Sequence, residues 1–127
     1  MKEAKEICPT TTKGKLEEGA ILIDVRERNE VSAISIDHPA MVNIPLTEFE
    51  NRYNEIPKDK TIVMVCKVGE RSLRTTYFLM NQGYENVFNM SGGIVKWVNK
   101  DFPFIGDKST LETPVSCCGS DNSTSCC

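Results

Sequence analysis

The sequence has no apolar run long enough to cross a bilayer, and its first residues lack the apolar core of a secretory signal peptide. It also lacks an excess of basic residues, since 18 Asp and Glu residues outnumber 15 Lys and Arg residues and give a net charge of −3. Nucleic acids bind to basic surfaces, so this balance argues against nucleic acid as a general partner. We therefore expect a cytoplasmic protein that binds neither nucleic acid nor a membrane.

Cysteine is present but unevenly distributed. Four of the six cysteines fall in the last eleven residues, whereas Cys8 and Cys66 stand alone. Disulfides are rare in reducing compartments, where cysteines serve more often as free thiols, metal ligands or catalytic groups. With 39% hydrophobic and 26% charged residues in 127, the composition is that of one globular domain.

Apolar runs typical of buried strands alternate with helical patterns along the chain. Predicted strands lie at 20–25, 41–44, 61–65 and 87–90, and predicted helices at 10–18, 26–35, 46–56, 72–82 and 94–99. Residues 35–39 are expected to form a turn. This alternation predicts an α/β fold with a parallel sheet and helices on both faces. We place the domain in residues 1–105 and a flexible, cysteine-containing tail in residues 106–127.

The stretch TIVMVCKVGERS, residues 61–72, predicts a reactive thiol. An apolar strand ends at Cys66, a loop containing Gly69 follows, and a helical pattern opens at Ser72. Amides in such a loop and at a helix N-terminus bind anions, and a thiol at their centre ionises more readily. We expect Cys66 to be a nucleophile in an anion-binding cradle.

Asp24 also ends an apolar strand run, so in a parallel sheet it is expected to share a crevice with Cys66. A buried carboxylate needs partners. We expect Asp24 to accept loop N–H bonds or to pair with a nearby arginine.

Five segments, taken together and in this order, resemble the rhodanese homology domain of single-domain sulfurtransferases. They are Ile23-Asp24-Val25-Arg26-Glu27, Asn43-Ile44-Pro45-Leu46, Cys66-Lys67-Val68-Gly69-Glu70-Arg71-Ser72, Gly83-Tyr84-Glu85-Asn86-Val87, and Gly92-Gly93-Ile94 with Trp97. The resemblance implies a central parallel sheet of about five strands. It also implies that Cys66 takes the outer sulfur of a donor such as thiosulfate, holds it as a persulfide and passes it to a thiophilic acceptor.

The resemblance assigns further roles. It places the substrate-binding and anion-binding loop at Lys67, Val68, Gly69, Glu70, Arg71 and Ser72. Arg71 is then a contact for an anionic donor, and Lys67 is a second cation. Asp24 and Arg26 correspond to a buried structural pair. The implied partners are a small anionic sulfur donor and a thiol or protein acceptor, and the implied protein is a monomer that needs no metal and no organic cofactor.

One segment departs from the family pattern. The usual glycine–histidine–isoleucine stretch after the first helix is replaced by residues 31–40, which contain His38. We expect His38 to be a surface or turn histidine rather than a base.

Two other functions fit the same loop less well. Cysteine phosphatases and arsenate reductases place an arginine one residue further from the cysteine, whereas here four residues separate Cys66 from Arg71. The shorter loop favours transfer of a sulfur atom. A non-catalytic interaction module is the second alternative. Some rhodanese-like domains lack the cysteine, whereas here Cys66 is present in an intact loop.

The tail cysteines leave three interpretations open. The tail is a disordered appendage, a soft-metal site, or a sulfur relay in which Cys117, Cys118, Cys126 and Cys127 accept sulfur from Cys66. Their spacing lacks the zinc-finger pattern.

Overall fold

Strands and helices alternate along residues 3–107, the part of the chain that the computed structural model describes. The strands are β1 (Lys5–Ile7), β2 (Ile21–Asp24), β3 (Ile34–Ile36), β4 (Met41–Asn43), β5 (Ile62–Val65), β6 (Val87–Met90) and β7 (Phe104–Gly106). The helices are α1 (Pro9–Glu17), α2 (Arg28–Ala33), α3 (Phe49–Arg52), α4 (Glu70–Asn81) and α5 (Gly93–Asn99).

The main sheet has five strands in the order β1-β6-β5-β2-β4, and all neighbours run parallel. All four residues of β5 are buried, as the continuous apolar run predicts for a central parallel strand. The predicted α/β fold with a five-stranded parallel sheet is therefore confirmed. Because parallel strands end at the same edge, the residues that follow β2 and β5 meet there.

Helices cover both faces of the sheet because successive strand residues point to opposite sides. On one face Val63 and Val65 pack against α1 and α5 through Leu16, Ile94 and Trp97. On the other face, residues of β2 and β5 pack against α3, α4 and the segment that follows α4. This part of the core includes Ile23, Met64, Cys66, Phe49, Leu79 and Tyr84. Within residues 3–107, none of the helices has the length and apolar content to cross a membrane.

A second sheet, in which β3 pairs antiparallel with β7, corrects one sequence prediction. Residues 35–39 were expected to form a turn, but Ile34–Ile36 is a strand whose three residues are all buried. Three residues are too few to display a strand period, and the pairing partner lies about 70 positions further along the chain. Pro103 leads into β7, and its carbonyl accepts bonds from Trp97 Nε1 and Asp37 N.

The prediction of one continuous helix over residues 46–56 is also wrong. The segment consists of the single turn α3 between two 3₁₀ turns, Leu46–Glu48 and Tyr53–Glu55. Buried Phe49 anchors it to the core. The Thr47 hydroxyl donates to Glu27 Oε1 at 3.0 Å, so a contact with a distant loop replaces a local cap.

Candidate active site

Cys66 lies directly after β5 at the C-terminal edge of the main sheet. Its side chain is 1% exposed and packs with Met64 in the core on the α3–α4 face. Val65 is in register with Asp24 of the neighbouring strand, so the two strand ends meet as the sequence predicts. The buried Cys66 thiol therefore lies where β5 ends and the loop begins.

Three N–H and O–H groups of the following loop and the first turn of α4 lie within 3.4 Å of the Cys66 sulfur. Gly69 N lies 3.1 Å from Sγ, Ser72 N lies 3.3 Å from it, and Ser72 Oγ lies 3.4 Å from it. The turn that aims them requires Gly69 at φ +101°, where a side chain is strained. Because α4 begins at Glu70, the Ser72 amide belongs to its first turn, whose N–H groups have no partner within the helix. These donors form the cradle.

The first turn of α5 holds the outer side of the loop. Ile94 N donates to the Cys66 carbonyl at 2.9 Å, and Val95 N donates to the Lys67 carbonyl at 3.2 Å. This approach is possible only because residue 93 is glycine, since a Cβ there would lie 2.3 Å from the Lys67 oxygen. The Gly92-Gly93 segment thus has a physical reason: it lets a helix N-terminus contact the backbone of Cys66 and Lys67.

Asp24 and Arg26 form a buried ion pair beside this edge. Their exposures are 0% and 1%. Arg26 Nη2 donates to Asp24 Oδ2 at 2.8 Å, Arg26 Nε donates to Oδ1 at 3.0 Å, and the Arg26 backbone amide donates to the same oxygen at 3.0 Å. Arg26 Nη2 also donates to the Ile34 carbonyl at 2.7 Å. The pair therefore ties the end of β2 to the start of β3.

Arg71 points toward α2 and forms a two-pronged ion pair with Glu30. Nη1 and Nη2 donate to the two carboxylate oxygens at 2.9 and 3.2 Å. These bonds are the main reason that the pKa of Glu30 falls and the pKa of Arg71 rises. Glu30 is itself fixed at the start of α2, because its Oε1 accepts the Glu27 amide at 2.9 Å. An anionic ligand of Arg71 therefore shares the guanidinium with Glu30.

Sequence reasoning missed both Glu30 and Asn89. Asn89 lies in β6 with 1% exposure. Its Oδ1 accepts the Ser72 hydroxyl at 2.5 Å, and its Nδ2 donates to the Gly69 carbonyl at 3.2 Å. The only available signal was a polar residue inside the apolar run Val87–Met90. For Glu30 there was none, because a glutamate in a short helix is ordinarily a surface residue.

The side chains of the other predicted site residues make no contact with the Cys66 sulfur among the contacts described above. Val68 is 45% exposed at the tip of the loop, and Glu70 is exposed at the start of α4. Lys67 contributes its carbonyl to the contact with α5. His38 lies in the turn before β4, where its Nδ1 accepts the Ala40 amide at 3.0 Å. The predicted relay residues of the tail fall outside residues 3–107.

The described residues contain no group of three His, Cys, Asp or Glu side chains that could hold a metal ion. What the site offers is a sulfur atom facing two backbone amides and a hydroxyl, with a guanidinium nearby. Such a site stabilises negative charge on sulfur, whether it is a thiolate or a persulfide. Covalent transfer through the sulfur is the chemistry that this arrangement favours.

The chain is similar in sequence and in structure to known proteins. The model of the rhodanese-like domain matches residues 9–100. A sulfurtransferase of Allochromatium vinosum is 35% identical over 88 residues, which cover 69% of this chain and 80% of that protein. The thiosulfate sulfurtransferase GlpE of Haemophilus influenzae is 33% identical over 103 residues, which cover 78% and 92%.

Solved structures agree. A rhodanese-like domain protein from Staphylococcus aureus superimposes with a TM-score of 0.66 at 28% identity, covering 73% of this chain and 90% of that one. A rhodanese-related protein from Thermoplasma volcanium shares the fold with a TM-score of 0.70 at 24% identity, covering 81% and 99%. With its five-stranded parallel sheet, its cysteine-centred loop and these matches, the chain belongs to the rhodanese-like domain family of sulfurtransferases.

Proposed function

We propose that this protein transfers sulfane sulfur from thiosulfate or a persulfide donor to a thiophilic acceptor through a persulfide on Cys66. The observation that carries the proposal is the Cys66 sulfur with two backbone amides and the Ser72 hydroxyl within 3.4 Å. Sulfurtransferase relatives that match most of this chain support it.

In the first half-reaction, the Cys66 thiolate attacks the outer sulfur of thiosulfate. A new S–S bond forms at Cys66, the S–S bond of the donor breaks, and sulfite leaves with the electron pair. The resulting persulfide is anionic and remains next to the donors of the cradle, which compensate its charge as they do the charge of the thiolate. The proton that Cys66 lost on ionising is in solvent, so no general base is required.

In the second half-reaction, an acceptor thiolate or cyanide attacks the terminal sulfur of the persulfide. The S–S bond breaks, and Cys66 leaves as a thiolate that is ready for the next donor. The same donors therefore serve the nucleophile, the intermediate and the leaving group, and the reaction needs neither a metal ion nor an organic cofactor.

The remaining residues have supporting roles in this proposal. Arg71 and Lys67 supply positive charge for an anionic donor, and Asp24 with Arg26 keeps the strand end rigid beneath the loop. The tail cysteines, Cys117, Cys118, Cys126 and Cys127, remain candidates for a relay and carry none of this argument.

The test compares the wild-type protein with Cys66→Ser in two assays. With thiosulfate and cyanide, we expect thiocyanate from the wild type and a loss of at least about a hundredfold in Cys66→Ser, because the nucleophile is removed. With a phosphoryl ester, we expect no phosphate. Arg74→Gln, which removes an exposed cation on α4, is the control and should keep its activity. Phosphate release without thiocyanate would identify a phosphatase, and no turnover in either assay would favour an interaction module.

A further inference from the structure

The Ser72 hydroxyl has one proton and two acceptors within reach. Its Oγ lies 2.5 Å from Asn89 Oδ1 and 3.4 Å from Cys66 Sγ. Both Ser72 and Asn89 are buried, so water does not relieve the competition. The proton can satisfy the amide oxygen or the sulfur, but a single O–H bond points well at only one of them.

Other contacts fix the orientation of the Asn89 amide. Its Nδ2 lies 3.2 Å from the Gly69 carbonyl oxygen and 3.4 Å from Glu6 Oε1. Both are acceptors, so the NH₂ group must face them and Oδ1 must face Ser72. Oδ1 accepts and cannot donate. Asn89 therefore competes for the Ser72 proton and cannot return one.

The outcome of the competition depends on the charge of the sulfur. Beside a neutral thiol, the short bond to Asn89 takes the proton. A thiolate is an ionised acceptor and attracts the hydroxyl more strongly. When the hydroxyl turns to the thiolate, Asn89 Oδ1 loses its donor in a buried place, which costs free energy. The stabilisation of the thiolate by Ser72 is reduced by that cost.

We propose that Asn89 is a positioning residue that competes with the Cys66 sulfur for the Ser72 proton and thereby sets how readily the Cys66 thiol ionises. The inference deepens the proposed function, because the thiolate is the nucleophile of that reaction. It makes the bond between Asn89 of β6 and Ser72 of α4 a regulator of reactivity.

Other charges around Cys66 also influence its ionisation. The charged side chains of the surrounding strand ends, loop and helices include Glu6, Asp24, Arg26, Glu30, Lys67, Glu70 and Arg71. The first three residues of α5 carry no charge. Asn89→Leu changes the charge of none of these groups, but it removes the amide N–H that lies 3.4 Å from Glu6 Oε1. Ser72→Ala/Asn89→Leu loses the same contact, so this effect cancels when the shift caused by Asn89→Leu is compared with and without the Ser72 hydroxyl.

The experiment measures the pKa of Cys66 from the pH dependence of its alkylation by iodoacetamide, followed on the peptide that contains Cys66. In Asn89→Leu the competing acceptor is gone, and we expect about two- to tenfold more thiolate at a pH below the pKa, the equivalent of one hydrogen bond. Ser72→Ala should raise the pKa. Because Asn89 acts through Ser72, Ser72→Ala/Asn89→Leu should match Ser72→Ala alone.

Two results would overturn the proposal. One is a pKa in Asn89→Leu that is unchanged or raised. The other is a shift of equal size with and without the Ser72 hydroxyl, which would make Asn89 a support of the loop only.

A second measurement uses only the wild-type protein, so it tests the proposal even if Asn89→Leu does not fold. In isotope-labelled wild-type protein, the side-chain amide signals of Asn89 should shift with the same pH midpoint as the Cys66 thiol. Signals that stay constant through that midpoint contradict the proposal. Neither measurement involves sulfur transfer. A protein that shows these shifts but yields no thiocyanate therefore retains this inference while the proposed function fails.

Discussion

Replacing Asp24 by Asn tests how much the buried ion pair stabilises the domain. The substitution keeps the size of the side chain but removes its charge, so the Arg26 guanidinium, 1% exposed, loses its counter-charge. In the wild-type protein the Arg26 side chain donates to the Asp24 carboxylate in three contacts of 2.8 to 3.2 Å. In the variant, the NH₂ group of the new asparagine would face some of these N–H donors, and two donors cannot bond to each other. Leaving a buried charge without its partner strongly destabilises a folded protein.

The expected magnitude follows from this burial. Breaking a buried pair by removing one partner costs about 3–5 kcal/mol, out of a total stability of about 5–15 kcal/mol. Asp24→Asn should therefore lower the unfolding midpoint in urea sharply and lower the Tm by roughly 10 °C or more. The exposed pair of Glu17 and Lys13 provides the control, because Glu17→Gln should change the stability by less than about 0.5 kcal/mol.

Replacing both Asp24 and Arg26 distinguishes the cost of leaving one buried charge unpaired from the cost of losing the whole ion pair. When both charges of a buried pair are replaced by apolar side chains of similar size, the cost is often small. Asp24→Leu/Arg26→Met should therefore be more stable than Asp24→Asn. A loss below about 1 kcal/mol in Asp24→Asn, or a double variant that is less stable than the single one, would show that the ion pair does not stabilise the domain in this way.

Three further predictions concern the loop, an alkaline transition and an acid transition. Gly93→Ala should unfold at lower urea and lose sulfur transfer, since its Cβ would lie 2.3 Å from a loop carbonyl, whereas Gly14→Ala, with open space around it, should stabilise α1. Burial raises the pKa of Tyr84 above 10.0, so the stability should fall as the pH rises past that value, and Tyr84→Phe should weaken this fall in urea titrations. The pair with Arg71 lowers the pKa of Glu30 below 4.5, so its contribution is lost as the pH drops below that range, and Glu30→Gln should remove this part of the acid dependence. An unchanged pH profile in either variant would count against the corresponding contact.

The main sheet and the position of Cys66 at its edge could be predicted from the sequence because their signals are local. The run Ile62–Val65 is apolar throughout, as a strand buried on both faces requires, and Cys66 follows it directly. The Gly-containing loop and the helical pattern after it predict converging amides. Asp24 stands at the end of another such run, which is enough to place it at the same edge of the sheet.

The partners of these residues could not be predicted, because distant segments supply them. Glu30 reaches Arg71 across 41 positions, and Asn89 reaches Ser72 across 17. No periodicity marks either residue as part of a site. The pairing of β3 with β7 has the same cause, since two three-residue strands acquire their identity only from each other.

The intact mass of the protein after exposure to thiosulfate tests most directly whether Cys66 carries the transferred sulfur. We expect a gain of one sulfur atom per chain, which maps to Cys66, disappears on addition of cyanide and is absent in Cys66→Ser. A sulfur atom that maps to the tail cysteines, or a mass that stays unchanged while thiocyanate is produced, would contradict it.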